Sequence, residues 1–283
     1  MTVLVFGKTG QVATELQAQA DVLALGRAEV DLTDPAACAA AIATHRPRVV
    51  INAAAYTAVD RAEEHEATAA LVNGAAPGAM ARACAELGIP LVHISTDYVF
   101  DGAGEDAFTP DHPTGPLGVY GRTKLAGEDA IRASGATHAI LRTSWVFSAH
   151  GANFVKTMLR LSETRTELSV VADQVGGPTS AGSIAAACLS IADQLSADPG
   201  KSGTYHFAGW PDVSWADFAR EIFAQAGRPV TVHDIPASDY PTPARRPANS
   251  RMDCSATQAR FGIDRPDWRT DLHAVLRALG IGG

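Results

Sequence analysis

The chain has 283 residues, 46% of them hydrophobic and 19% charged, with a formal net charge of −8. That balance excludes a disordered or fibrous chain, and the length suits one large domain or a medium domain with a smaller companion. Without any basic run to offset its acidity, the chain has no surface suited to nucleic acid or an anionic membrane.

Taken in order, the apolar residues 3–6 predict a first strand, which runs into Gly7-Lys8-Thr9-Gly10-Gln11-Val12-Ala13 and then a helix over 11–20. Small residues at the first, fourth and seventh positions let the turn form, let the backbone approach a pyrophosphate and let the helix pack on the sheet. The helix N-terminus would face the anion. A tight turn with no ligand has the same appearance, because spaced glycines are a weak signal. Residues 22–25 predict a second strand, and Gly26-Arg27 follows it. NAD-specific sites place a carboxylate there, whereas Arg27 suits a 2′-phosphate or a solvated surface position. Asp31 and Leu32 come next, where an adenine would lie. Residues 49–51 predict a third strand, and Asn52-Ala53-Ala54-Ala55 at its end is small enough for a nicotinamide ribose to lie against the backbone.

A helix over 75–87 stops at Gly88 with Pro90 beyond it. The fourth strand, 91–94, leads to Ser95-Thr96-Asp97-Tyr98, which puts Thr96 near a strand's carboxyl end, where open α/β sheets bind ligands. Its hydroxyl suits donation to a carbonyl oxygen, or a plain Ser/Thr turn. Residues 101–118 are rich in Pro and Gly and long for a connection, as an active-site loop would be. Tyr120-Gly121-Arg122-Thr123-Lys124 then sets a phenol and an ammonium on one face of a helix. The chain has 5 Tyr, and its lysines are Lys8, Lys124, Lys156 and Lys201, so this pairing rarely arises by chance. Ketone reduction needs a proton donor, and a phenol with a pKa of about 10 becomes a better one beside a cation. Residues 140–141 and 203–207 predict further strands, the last returning to the same sheet. Strands alternating with helices indicate an α/β fold, a Rossmann-type doubly wound parallel sheet. It occupies 1–148, with about 181–210 rejoining it.

From 149 onward the pattern becomes helices broken by Pro and Gly, over 153–162, 182–195, 215–226 and 271–279. Residues 234–249 hold four prolines and read as a loop crossing a surface or cleft. Residues 149–283 therefore form a smaller, mainly helical, substrate-binding domain. No apolar run reaches the ~18 residues that cross a bilayer, and the N-terminus lacks a basic leader, which places the chain in the cytoplasm. Cys38, Cys84, Cys188 and Cys254 show no CxxC pair and read as reduced, buried thiols. The histidines lack metal-ligand spacing, so no metal is assigned.

Together these segments resemble the dTDP-4-dehydrorhamnose reductase family, within the extended short-chain dehydrogenases. The resemblance is carried by GKTGQVA from Gly7, NAAAYTAVDRAE from Asn52, STDYVFDG from Ser95, YGRTKLAGE from Tyr120, RTSWVF from Arg142, NFVKTML from Asn153 and DQVGGPTSAGSIA from Asp173. It implies Thr96, Tyr120 and Lys124 as catalytic residues, Tyr120 and Lys124 meeting the cofactor too. Gly7, Gly10, Gln11, Val12, Arg27, Asp31, Leu32, Ala53, Ala54 and Ala55 would line NADPH, with NADH as an alternative donor. Thr96, Asp97 and Trp145 would meet a dTDP-sugar, whose 4-keto group is reduced. A reductase of another 4-keto-deoxysugar nucleotide, or a non-catalytic nucleotide-binding regulatory subunit, would share the fold. Some relatives form magnesium-linked dimers, so a homodimer is compatible, although no ligands for that metal stand out. Two departures are Ala13 in place of a third glycine and Tyr56 where many relatives have histidine.

Overall fold

The computed structural model describes residues 2–281. Its centre is a six-stranded sheet made of β1 Val3–Phe6, β2 Val22–Leu25, β3 Val49–Asn52, β4 Leu91–Thr96, β5 His138–Thr143 and a last strand, Gly203–His206. Across the sheet the order is Gly203–His206, β5, β4, β3, β1, β2, with every pairing parallel. The chain steps from β1 to β2 in one direction and from β3 to β5 in the other. A crevice therefore opens at the carboxyl ends of β1 and β3, the usual ligand position in such sheets.

All four residues of β1 and of β3 are buried, as parallel strands covered on both faces require. On one face Leu16 of the Gln11–Gln19 helix and Ile184 and Ile191 of the Ala181–Ala197 helix pack on the sheet. On the other, Ile42 of Pro35–His45 and Met80 and Cys84 of Ala76–Leu87 do so. Local signals set these helices. Asp34 accepts from the backbone N–H of Ala36 and Ala37 with Pro35 behind it, and Gly88 ends its helix in the left-handed region at φ 65°.

The remaining residues build a second body around Phe147, Phe218, Trp268 and Leu272, contributed in part by the helices Phe154–Ser162, Trp215–Gln225 and Trp268–Ala278. It also contains strands that hydrophobic periodicity did not reveal. Glu167–Val171 pairs in parallel with Thr231–Ile235, and Val213–Ser214, Val175–Gly176 and Asn249–Ser250 form a three-stranded patch. Two-residue strands are too short to carry an alternation. The proline-rich segment starts inside Thr231–Ile235 and crosses toward the sheet half, where Asp60 accepts from the Ala244 N–H at 3.2 Å and from Arg246 at 2.9 Å. No described helix is long and apolar enough to cross a membrane.

Candidate active site

The glycine turn lies between β1 and the Gln11–Gln19 helix. Gly7 has φ 112°, and a Cβ there would sit 3.3 Å from both the Ala13 Cβ and the Ala53 carbonyl carbon. Ala13 thus occupies the space beside Gly7, and its methyl group is accommodated where a third glycine was expected. Gly10 is the N-cap of the helix and supplies no side-chain cap, and a Cβ on it would meet nothing within 4 Å. An uncapped helix start with open space above it is the place for a diphosphate. Val12 packs into the core, and Leu32 is also buried. The Gln11 carboxamide oxygen accepts from Ser148 at 2.8 Å and Asn153 at 2.9 Å, which ties the turn to the second body.

At the rim, the Arg27 side chain is 81% exposed and donates to Asp31 at 3.1 Å. The Thr33 N–H, assisted by Arg27, holds the Asp31 carboxyl below its usual range. Ala53, Ala54 and Ala55 follow β3 and are half-buried.

Tyr120 and Lys124 lie on the Val119–Ala133 helix, whose first N–H is accepted by Glu63 at 2.9 Å. Gly121 and Gly127 allow the helix to approach its neighbours, since a Cβ at either would sit 2.1 Å from a carbonyl oxygen, of Tyr98 and Asn73 respectively. The approach brings the Tyr120 ring to 5.4 Å from that of Tyr98. Thr96 ends β4 and accepts from the Tyr98 N–H at 3.2 Å while donating to Asp97 at 3.0 Å. Asp97 is buried and also accepts from Ser250, at 2.5 Å. Burial pushes the Asp97 carboxyl up to about 6 against those hydroxyl donors.

Burial also pushes the Tyr120 phenol up to about 12, with the Thr96 hydroxyl opposing it. The lowering expected from Lys124 is absent. The Lys124 ammonium is turned toward the sheet, 2.6 Å from the Ile94 carbonyl oxygen and 3.2 Å from His93 Nε2. Its own pKa falls to about 8 through burial, with the Glu128 carboxylate acting the other way. Glu128 is itself fully buried, held by Arg142 at 2.7 Å and 2.9 Å and by Ser95 at 2.6 Å. Arg142 then reaches the Pro110 carbonyl at 3.1 Å, fixing the 101–118 loop over the sheet end.

Trp145 occupies the left-handed region at φ 50° and stacks on Trp215, with ring centroids 3.5 Å apart and an interplanar angle of 10°. Gly176 leaves room for it, because a Cβ there would lie 3.0 Å from the indole. Tyr56, the other departure, packs beside Tyr120 with Ala62, Ala69 and Val119, and its hydroxyl bonds His65 at 2.9 Å. Thr96, Asp97 and Tyr120 therefore converge at one strand end, while Arg27 and Asp31 lie at the far rim. Sequence reasoning gave no role to His93, Glu128, Ser250 or Trp215, and read Asn52 only as a small side chain beside a nicotinamide ribose. A histidine within the apolar strand 91–94 was the one signal it left unused.

The model of the RmlD substrate binding domain family matches residues 1–281. A dTDP-4-dehydrorhamnose reductase of Sinorhizobium fredii is 46% identical, over 100% of this chain and 99% of its own. One of Escherichia coli K12 is 42% identical over 99% and 98%. Among solved structures, the Clostridium acetobutylicum dTDP-4-dehydrorhamnose reductase superposes with a TM-score of 0.92 at 34% identity, covering 99% of this chain and 100% of that one. The Bacillus anthracis enzyme, in complex with NADP, gives 0.90 at 32%, covering 98% and 100%.

Proposed function

We infer the activity from family and site together: the chain belongs to the family of dTDP-4-dehydrorhamnose reductases. It is an NADPH-dependent oxidoreductase that converts dTDP-4-dehydro-β-L-rhamnose to dTDP-β-L-rhamnose, a step of dTDP-rhamnose and cell-surface polysaccharide synthesis. The observation that carries this reading is the convergence of Thr96, Asp97 and Tyr120 at the end of β4, with Lys124 one helical turn further on.

Gly7, Gly10, Gln11 and Val12 would hold the cofactor's diphosphate by their backbone, Arg27 its 2′-phosphate, Asp31 and Leu32 its adenine end, and Ala53, Ala54 and Ala55 with Tyr120 and Lys124 its nicotinamide end. NADPH supplies the hydride. The chain's own residues supply the rest. Tyr120, which keeps its proton in the buried site, delivers it to the oxygen of the reduced carbonyl. The Thr96 hydroxyl donates to that same oxygen as negative charge develops on it. Asp97 accepts from a sugar hydroxyl, and Trp145 offers the sugar an apolar face. Residues 1–148 with 181–210 serve as the nucleotide-binding domain and the rest of 149–283 as the substrate-binding domain, working in the cytoplasm.

The test follows NADPH absorbance with purified protein and a panel of 4-keto sugar nucleotides. One equivalent consumed per dTDP-rhamnose formed is expected, and no 4-keto product from dTDP-glucose. Faster turnover of another panel member would move the substrate, and sugar conversion without added reduced cofactor would overturn the reductase reading.

A further inference from the structure

The buried chain Asn52, His93, Lys124 contains a conflict among its donors. The Ala54 N–H lies 3.2 Å from one atom of the Asn52 carboxamide, and because an N–H can only donate, that atom is the oxygen. The amide nitrogen therefore faces His93, 3.0 Å from Nδ1, and donates to it. His93 is fully buried, and burial and the Lys124 charge hold its pKa well below the usual histidine range, so the ring is neutral and carries one proton. With Nδ1 accepting, that proton sits on Nε2. Nε2 is 3.2 Å from Lys124 Nζ. An ammonium there would set donor against donor, whereas a neutral amine offers the lone pair that Nε2–H needs.

We propose that His93, oriented by Asn52, is a positioning residue that eases the loss of a proton from the Lys124 ammonium by donating its Nε2–H to Nζ of the amine that results. The proposal rests on the reductase reading for its consequence and on this hydrogen-bond chain for its substance. When Tyr120 has given its proton to the sugar oxygen, a phenolate is left one helical turn from Lys124. Oη–H is restored as an Nζ–H bond breaks, His93 accommodates the amine left behind, and bulk water returns the Nζ proton. Other charged groups face this chain. Glu128 on the same helix favours the ammonium but is neutralised by Arg142 from β5 and by Arg132. His138 of β5 acts on His93 in the direction that keeps it neutral. On the outer side of the helix, Glu63 caps it and Glu66 pairs with Arg122 at 3.3 Å.

Two measurements test the proposal. In the free protein labelled with 15N-histidine, long-range proton–nitrogen NMR at pH 9 should show His93 with its proton on Nε2. In Asn52→Asp, which keeps the oxygen for Ala54 but turns an acceptor toward the ring, the proton should move to Nδ1. An Nδ1–H tautomer in the wild-type protein would overturn the proposal whatever the enzyme's substrate. In turnover, the basic limb of the kcat profile for reduction should move up by about one pH unit in His93→Leu, where the amine loses its donor, and in Asn52→Asp. His93→Gln, which keeps an N–H near Nε2, should restore the wild-type limb. Superimposable limbs in wild type and His93→Leu would equally overturn it, and thermal melts of each variant show whether a silent one is folded. A wild-type protein that shows the Nε2 tautomer but consumes no NADPH with any panel sugar would instead defeat the reductase reading.

Discussion

In the sheet half, β1 and β3 are buried from end to end and their neighbours are fixed by parallel backbone ladders. The second body is assembled differently, from two-residue strands and a cluster of aromatic rings in which Trp145, Phe147, Phe154, Trp215, Phe218 and Trp268 meet. The two meet through polar side chains, Gln11 with Ser148 and Asn153, Asp97 with Ser250, and Asp60 with Arg246, and through short backbone contacts in which the Asn249 N–H donates to Gly102 at 3.0 Å and the Phe108 N–H to Arg251 at 2.9 Å. Backbone ladders leave few alternative positions, whereas side-chain bonds exchange with water at a net difference of about 1 kcal/mol each. The proposed reacting groups Tyr120 and Lys124 thus stand on the half held by continuous ladders, and Trp145 and Trp215 on the half held by shorter contacts. Substitutions of Tyr120 and Lys124 should act on kcat, and those in the aromatic cluster of the second body on KM.

The hardest blow to that comparison would be a folded Tyr120 variant with normal turnover. Tyr120→Phe should lower kcat by at least ~100-fold, the scale of a lost acid, with KM for the sugar little changed. Lys124→Met should lower kcat on a similar scale. Steady-state kinetics with a thermal melt checks both. A rise in KM with kcat intact would place Tyr120 among the recognition groups.

Asp97, at the junction, sharpens the comparison through pH. Its folded pKa of about 6 lies above the 3.8 of a free aspartate, so between those values the folded chain holds a proton that the unfolded chain has lost. Stability therefore falls as pH rises through that window, and the loss persists above it. Asp97→Asn removes the buried charge, and its Ser250 and Thr96 partners can rotate their hydroxyls to suit. Relative to the wild type, it should gain about 2 kcal/mol between pH 4 and pH 7.5 in denaturant titrations. At the same time KM for the sugar nucleotide should rise. A constant stability difference across that range would mean that Asp97 does not titrate there.

The two halves also differ in how far they could be read from sequence. β1 and β2 are apolar tetrads bounded by turn residues, and each matches its predicted span residue for residue. Tyr120 and Lys124 were legible because a helical spacing of four needs no tertiary information. Ser250, by contrast, meets Asp97 across 153 residues of chain, and nothing local marks it. The Tyr120 phenol shows the same limit in energetic form. Spacing alone put a cation beside it, but the fold turns Lys124 toward Ile94 and His93, and burial raises the phenol instead.

Arg27 tests the exposed edge of the sheet half. It is paired with Asp31, so a 2′-phosphate would compete with an existing partner in high dielectric, and the net gain is smaller than for a buried contact. Arg27→Ala should weaken NADPH by about 10-fold and NADH hardly at all, at the lower end of a charged hydrogen bond's worth. Fluorescence titration with each cofactor measures the ratio, and an equal loss for both would return Arg27 to the surface.

The smallest expected effect lies in the second body and isolates its side of the comparison. Trp145 carries a bulky side chain at φ 50°, a conformation that costs on the order of 1 kcal/mol or more and persists only where the surroundings hold it. Trp215 supplies the hold as a parallel face, and Gly176 leaves room beside the indole. A stacked pair contributes about 0.5–1.5 kcal/mol beyond its burial. Trp215→Ala should therefore release Trp145 and raise KM for the sugar nucleotide by about 3- to 10-fold, with kcat and the NADPH constant unchanged. Trp215→Phe, which retains a flat ring, should recover most of the loss. If kcat fell with KM in Trp215→Ala, the second body would be setting the position of the reacting groups as well, and the division of labour between the two halves would not hold.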